Sequence, residues 1–281
     1  MKNYIEVCIK TSPENFDAIL NILYKSEVDN ILEEKDEIKV YFFEEDKALA
    51  NSVKKSIANF GITAHVAMSV FEERNWNAEW EKTIEPVYIT DRLVIYPTWK
   101  EHEIKDRTDL IKIQIDPKMA FGTGHNETTR LVLKQMCEYI EPGDLKLLDF
   151  GTGTGILCIA GIKLGMEYAT GLDIDPDAIE NAKENIELNK VKDFIKFENC
   201  SIESIDSDEY DIITANIISS VIVPNIEHIK RNLKSSGKIF ISGILKDEKD
   251  DFGKFLESNG FEIIEIISES EWVGIYAKNC N

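Results

Sequence analysis

Apolar and polar residues alternate over 3–10 (NYIEVCIK), the period expected of a strand with one buried face. Ser12, Pro13 and Glu14 then open a segment in which Phe16, Ile19, Leu20 and Leu23 recur at helical spacing. Two further strand-like runs lie near 28–33 and 37–43. A helix is expected over 46–59, with Leu49, Val53, Ile57 and Phe60 on one face and Gly61 ending it. A last strand, ITAHVAMSV, completes the order βαββαβ, which predicts a small ferredoxin-like α+β domain over 1–70. The segment 71–88 mixes charge with Trp76 and Trp80, four apart, and suggests a linker helix whose tryptophans pack on a neighbour or bind a partner. Residues 89–281 form the second expected domain. RLVIYPTW and DLIKIQID read as a strand pair joined across the charged loop 100–108.

From Leu147 onward, strands alternate with helices, which predicts a mainly parallel α/β sheet. The expected helices are 176–189, about 219–234 and about 247–259, between strands FIKFEN, YDIITAN and GKIFISGIL. The last two strands, FEIIEIIS and WVGIYAK, are separated by only Glu269, Ser270 and Glu271. That is too short for a parallel crossover, so they must form an antiparallel hairpin.

The chemistry concentrates in 147–176, LLDFGTGTGILCIAGIKLGMEYATGLDIDP: a buried strand, a glycine turn, a helix, a second strand and an acidic pair closed by proline. Gly151, Gly153 and Gly155 let the backbone approach a ligand, and Asp173, twenty-two positions past Gly151, suits a ribose diol. A dinucleotide fingerprint would need glycine where Ile156 stands. A P-loop would need Gly-Lys-Ser/Thr, whereas Ile156, Leu157 and Cys158 follow Gly155. Asp175, followed by Pro176, looks like a helix N-cap, leaving Asp173 as the better ribose ligand. Asp149 could hold turn amides or approach a cofactor ammonium. In the loop DPKMAFGTGHNETTR, Asn126 or Thr123 could cap a helix at about Glu127, and Phe121 offers an aromatic face between small residues, suited to an adenine or a methionyl chain. Asn216 ends the strand YDIITAN, where open α/β sheets place their chemistry. It could cap the next helix, or hold a substrate amine.

Composition narrows the partners. Thirty-two basic against fifty-two acidic residues give a net charge of -20 over 281 residues. That opposes nonspecific attraction to nucleic acid or an anionic membrane and favours a basic partner. The five cysteines and four histidines are scattered, so neither a disulfide framework nor a metal site is expected. No apolar run approaches the roughly eighteen residues needed to span a bilayer. A cytoplasmic location is expected, with no membrane partner and a monomer favoured.

Together, DFGTGTGIL and GLDIDP resemble the first two motifs of the class I S-adenosylmethionine-dependent methyltransferases, whose cofactor carries a ribose but no pyrophosphate. MAFGTGHNETTR, the NAEW of the linker, ANI at 215–217 and SGILKDE extend the likeness over essentially the whole chain to the bacterial methyltransferases that modify large-subunit ribosomal protein eleven. This resemblance implies a Rossmann-like seven-stranded sheet with a terminal antiparallel strand. It carries cofactor-binding roles onto Thr129, Gly151, Asp173 and Asn216, beside Phe121 and Gly153 read from the loop and turn. It implies methyl transfer to lysine amines, with an α-amine as a further acceptor, of that ribosomal protein held by the ferredoxin-like domain. Amino-methyltransferases of planar amides or bases continue the Asn216 motif as Pro-Pro-aromatic, whereas Ile217, Ile218 and Ser219 follow here. Deprotonating a lysine amine at neutral pH costs roughly 4 kcal/mol. A desolvating pocket would lower that cost, and water can take the proton, so Asn216 is read as a positioning catalytic residue with no dedicated base. The rival readings are a methyltransferase for another amine, in a small molecule or nucleic acid, and a non-catalytic cofactor-binding module.

Overall fold

The computed structural model describes residues 3–280 apart from 27, 29, 34–36, 44–45, 61, 73–83, 117–123, 125 and 206–209. They form two compact units, Met1–Thr83 and Ile84–Asn281.

The first unit runs β1 (Asn3–Lys10), α1 (Phe16–Lys25), β2 (Ile31–Glu33), β3 (Glu37–Phe43), α2 (Lys47–Asn59) and β4 (His65–Glu72). Its sheet has the order β2-β3-β1-β4 with every neighbouring pair antiparallel. Alternation puts Ile5, Val7 and Ile9 of β1 and Ile38, Val40 and Phe42 of β3 into one core with Ile19 and Leu23 of α1. The buried face of α2 is Ala50, Val53 and Ile57, whereas Phe60 is 60 % exposed and Leu49 lies at the rim. The 46–59 pattern is therefore right at Val53 and Ile57 and differs at its ends, where Ala50 is buried in place of Leu49 and Phe60 stands in water. A small alanine against the sheet lets the helix approach closely, which the apolar spacing alone does not reveal. Trp76 and Trp80 fall outside the described residues. The proposed linker helix does not extend to its ends, because Phe71 and Glu72 belong to β4 and Val87–Tyr88 is a strand.

In the second unit β5 (Val87–Tyr88), β6 (Leu93–Tyr96) and β7 (Ile111–Gln114) make a small sheet in which β6 and β7 are parallel. The 100–108 connection carries a short helix, Glu101–Ile104, rather than only a loop, as a parallel crossover requires. The main elements follow: α3 (Glu127–Tyr139), β8 (Lys146–Phe150), α4 (Ile156–Lys163), β9 (Tyr168–Asp173), α5 (Pro176–Asn189), β10 (Ile195–Asn199), β11 (Tyr210–Asn216), α6 (Ser219–Asn232), β12 (Leu233–Leu245), α7 (Lys249–Ser258), β13 (Phe261–Glu269) and β14 (Trp272–Asn279). The seven strands β8 to β14 lie in the order β10-β9-β8-β11-β12-β14-β13. All neighbours are parallel except at β14, which runs against both β12 and β13. The seven-stranded α/β sheet and its terminal hairpin are thus as expected.

Successive strand residues enter different cores, because side chains alternate across a sheet. Leu147, Ile212 and Phe240 pack with Val132 and Met136 of α3 and Ile159 of α4. Leu148, Ile213, Ile239 and Ile241 pack on the other face with Ile222 and Ile226 of α6 and Phe252 of α7. Helices therefore cover both faces, and the strand ends are left for the site. After β8 the chain moves outward through β9 and β10, then returns to place β11 on the other side of β8. That reversal opens a crevice at the carboxyl ends of β8 and β11.

Phe240 sits at the centre of the sheet, fully buried and stacked on Tyr276 with ring centroids 5.0 Å apart. Phe240→Ala is expected to cost about 3–5 kcal/mol of stability in urea denaturation; a loss below about 1 kcal/mol would show that the core closes over the gap.

Candidate functional site at the carboxyl ends of the central strands

The turn after β8 is built by backbone geometry. Gly151, Gly153 and Gly155 all adopt left-handed φ, at 80°, 52° and 77°, a region that side chains disfavour. Both Gly151 and Thr152 donate their amides to the Leu172 carbonyl, at 2.9 and 2.8 Å, which clamps the turn to β9. A Cβ on Gly151 would come within 2.5 Å of Ile217 Cγ2, and one on Gly243 within 2.6 Å of the Ile217 carbonyl oxygen. Gly151 in the turn after β8 and Gly243 on β12, on either side of β11, thus hold the backbone just past Asn216.

Beside the turn, Asp173 closes the end of β9. Its Oδ2 accepts the Gly153 amide at 2.9 Å and its Oδ1 the Asp175 amide at 3.0 Å, while Asn199 donates to its carbonyl oxygen. The carboxylate is therefore fixed in place, and each oxygen retains a lone pair for a ligand hydroxyl. Asp175 accepts the Asp177 amide at 2.9 Å with Pro176 in the first helical position, so it is the N-cap expected of it. Between the two acids Ile174 is 76 % exposed. An apolar side chain left in water next to an anchored carboxylate offers a face for a flat ligand. Its signal in the sequence was the lone isoleucine within DID.

Asp149 holds the turn through a hydroxyl. It is fully buried, and its carboxylate accepts the hydroxyls of Thr214 on β11 and Thr152 of the turn, each at 2.7 Å. Burial outweighs these two bonds and pushes its pKa up to about 7. Thr152 and Thr214 were not identified from the sequence, since a threonine in a strand or a turn carries no distinguishing pattern.

Asn216 does not cap α6; Ile218 occupies that position. Its Nδ2 donates instead to Thr129 Oγ1 at 3.1 Å, across eighty-seven residues of chain. Thr129 lies in the first turn of α3 and is 1 % exposed. The Asn216 Oδ1 is buried without a hydrogen-bond partner among the described residues. Asn126 stands at the N-cap position of α3 without making a side-chain cap bond. Phe121, Thr123 and most of their loop lie outside the described residues, so the structure does not place them.

Five candidates are therefore brought to one sheet edge: Gly151 and Gly153 in the turn, Asp173 beside them, and Asn216 with Thr129 on the neighbouring strand and helix. The left-handed glycine turn, the anchored carboxylate and the lack of any lysine or arginine in 149–156 fit a nucleoside cofactor without a pyrophosphate. Residues 3–280 match the family described as ribosomal protein L11 methyltransferase (PrmA). The chain belongs to that family. A curated relative of that name from Alkaliphilus oremlandii is 34 % identical over 310 residues, covering 98 % of both chains. Another, from Clostridium botulinum, is 36 % identical over 260 residues, covering 89 % of this chain and 82 % of its own. The solved structure of a ribosomal protein L11 methylase from Lactobacillus delbrueckii subsp. bulgaricus superposes with a TM-score of 0.64 at 28 % identity, over 70 % of this chain and all of that one. A tRNA m1G37 methyltransferase from M. jannaschii matches 98 % of this chain and 99 % of its own, with a TM-score of 0.51; at 15 % identity it shares the fold alone. Membership of the L11 methyltransferase family makes this protein a methyltransferase, of a family that uses S-adenosylmethionine. Among the described residues no helix is long and apolar enough to cross a membrane.

The raised pKa of Asp149 has a definite consequence for stability. Below pH 4 the group is protonated in folded and unfolded chains alike. Between about pH 4 and 7 the folded chain keeps a proton that the unfolded chain has lost, so its stability contribution falls as pH rises. The stability difference between the native protein and Asp149→Asn is therefore expected to shift in favour of the variant from pH 4 to pH 7. Urea denaturation at each pH reads this, and a flat difference would mean that the carboxyl is ionised throughout.

Proposed function

We propose that this protein transfers methyl groups from S-adenosylmethionine to lysine side-chain amines of ribosomal protein L11, with its α-amine as a further acceptor. Family membership supports the substrate. The observation that carries the chemistry is Asn216, held by Thr129 at the carboxyl edge of β11 with its Oδ1 buried and unpaired among the described residues. An amine has N–H groups that need an acceptor, and this oxygen is one. Ile217, Ile218 and Ser219 follow, in place of the proline–aromatic wall that would grip a planar base, which favours a flexible aliphatic amine.

In this reading Asp173 takes the ribose hydroxyls, Gly151 and Gly153 shape the turn beside it, and Phe121, Thr129 and Asn216 complete the enclosure. The bound cofactor supplies a methyl group already activated on a sulfonium. What remains for the protein is alignment, which Asn216 provides by fixing the amine's direction of attack. Residues 1–70 would hold the substrate, 71–88 link the two parts and 89–281 carry the chemistry. A net charge of -20 attracts a basic, lysine-bearing partner from any approach. Water accepts the amine proton before attack, so no side chain is assigned as base.

Incubating purified ribosomal protein L11 with this protein and S-adenosylmethionine is expected to add mass in steps of about 14 units, one methyl replacing one hydrogen, mapping to lysines or the N-terminus. No steps despite calorimetric cofactor binding would reject L11 as substrate. Asp173→Ala is expected to raise the cofactor Kd about tenfold or more in calorimetry; an unchanged Kd would remove Asp173 from the cofactor site.

A further inference from the structure

We infer that Ile218, Val221 and Leu245 form a docking rim for the basic stretch of substrate that flanks the target lysine. This rests on L11 as the methyl acceptor and on Asn216 holding its amine, as proposed above, and deepens that reading. Single exposed aliphatic side chains are ordinary on a protein surface, so exposure alone decides nothing. What sets these apart is where they stand. Ile218, 57 % exposed, is the N-cap of α6, and Leu245, 40 % exposed, is the N-cap of a short 3-10 turn, Lys246–Glu248, that leads into α7. Serine, threonine, asparagine and aspartate are preferred at such positions. Aliphatic residues suit them least, because they offer no side-chain acceptor to the first amides of a helix. Twice on the same rim, then, the chain forgoes a cap and places an apolar side chain in water.

One carboxylate holds the two sites together. Glu248 accepts the Ser219 hydroxyl on Oε1 at 2.7 Å and the Leu245 amide on Oε2 at 3.0 Å, so Leu245 and the residue after Ile218 sit on the two oxygens of one group. The Lys246 amide donates in turn to the Glu271 carbonyl at 2.8 Å, and Gly243 backs onto Ile217. The rim is therefore built before any ligand arrives, which lowers the entropy lost on docking. Val221 lies one turn along α6 from Ile218, its amide on the Ile218 carbonyl, and is also exposed, so it extends the apolar face. Position in the sheet and charge together name the occupant. Asp173 ends β9, the glycine turn follows β8, Asn216 ends β11, and the rim stands at the ends of β11 and β12, which is their order across the sheet. With the cofactor over β9 and β8, the acceptor chain approaches from the β12 side. Beside the rim, residues 246–251 (KDEKDD) set four acids against two lysines, with Asp250 and Asp251 well exposed. An acidic first turn suits any helix. Next to an apolar rim it also matches a lysine or arginine, whose methylene stem covers Ile218 and Leu245 while its charge reaches the acids. The occupant is thus a stretch of L11 whose residues next to the target lysine are themselves basic.

The test is steady-state kinetics with L11 as methyl acceptor, read beside the calorimetric cofactor Kd and the thermal midpoint of each variant. Leu245→Ser and Val221→Ser together are expected to raise the L11 KM about tenfold, with kcat at saturation and the cofactor Kd changed less than about twofold. Ile218→Ser should raise the KM as well. Serine at Ile218 or Leu245 supplies the missing cap, and at Leu245 it completes a Ser-x-x-Glu box with Glu248. Neither variant should lower the thermal midpoint, so a raised KM cannot come from unfolding. Replacing Asp247, Asp250 and Asp251 by asparagine should raise the KM about tenfold at low salt and flatten its further rise with added salt. An unchanged KM in the serine variants would overturn the inference, as would a raised cofactor Kd or a fall in kcat at constant KM. A salt dependence that survives loss of the three acids would overturn the choice of a basic occupant. Unaltered protein that adds no methyl to L11 would reject the proposed substrate and the rim with it, whereas methylation by the unaltered protein with an unchanged KM in the variants rejects the rim alone.

Discussion

A carboxylate buried at the end of a strand must find donors, and Asp149 finds them on two different elements. Thr152 belongs to the glycine turn and Thr214 to β11, two residues before Asn216. The acid therefore ties the glycine turn to β11 across the crevice through one group. A buried carboxylate with fewer donors would be strongly destabilising, so each hydroxyl holds its element in register. With Gly151 and Gly243 both lying against Ile217, the backbone next to Asn216 is fixed from either side.

The site built on that anchor uses few charged side chains. Its polar groups are mainly backbone amides, hydroxyls and one carboxamide, with Asp173 as the exception, and they stand on strand ends and helix starts instead of long loops. Such a site is suited to a reaction that needs alignment more than proton transfer, because groups held by a packed sheet lose little entropy when the reactants arrive. The family relationship and this geometry point the same way, from independent grounds. Ion pairs lie elsewhere: Lys238, buried among the Tyr139 carbonyl, Glu141 and Asp144, ties β12 to the segment after α3 and takes no part in the crevice.

Much of this was legible in the chain before any coordinates. The alternation of β1, the strand–helix succession after Leu147, and the short link between β13 and β14 each follow from local periodicity and reach, and each fixes an element type with little help from the rest of the molecule. Asp173, Gly151 and Gly153 were readable because a turn of glycines and an acid one strand later have a geometric meaning in parallel sheets. The ends of the α2 stripe, Leu49 and Phe60, were misplaced, and the 100–108 connection was read as a loop, because both depend on what packs against them. Phe121 and the two linker tryptophans lie outside the described residues.

Tertiary structure alone decided the partners. Asp149 with Thr152 and Thr214, and Asn216 with Thr129, are contacts made by separate elements, the latter eighty-seven residues apart. Sequence periodicity reports which face of an element is buried, since that repeats every two or 3.6 residues. It carries no information on which side chain of a distant element that face will meet. That pairing is set by strand order and register across the sheet, and here it brought in Thr152 and Thr214, which the sequence did not mark, beside Thr129, which it did.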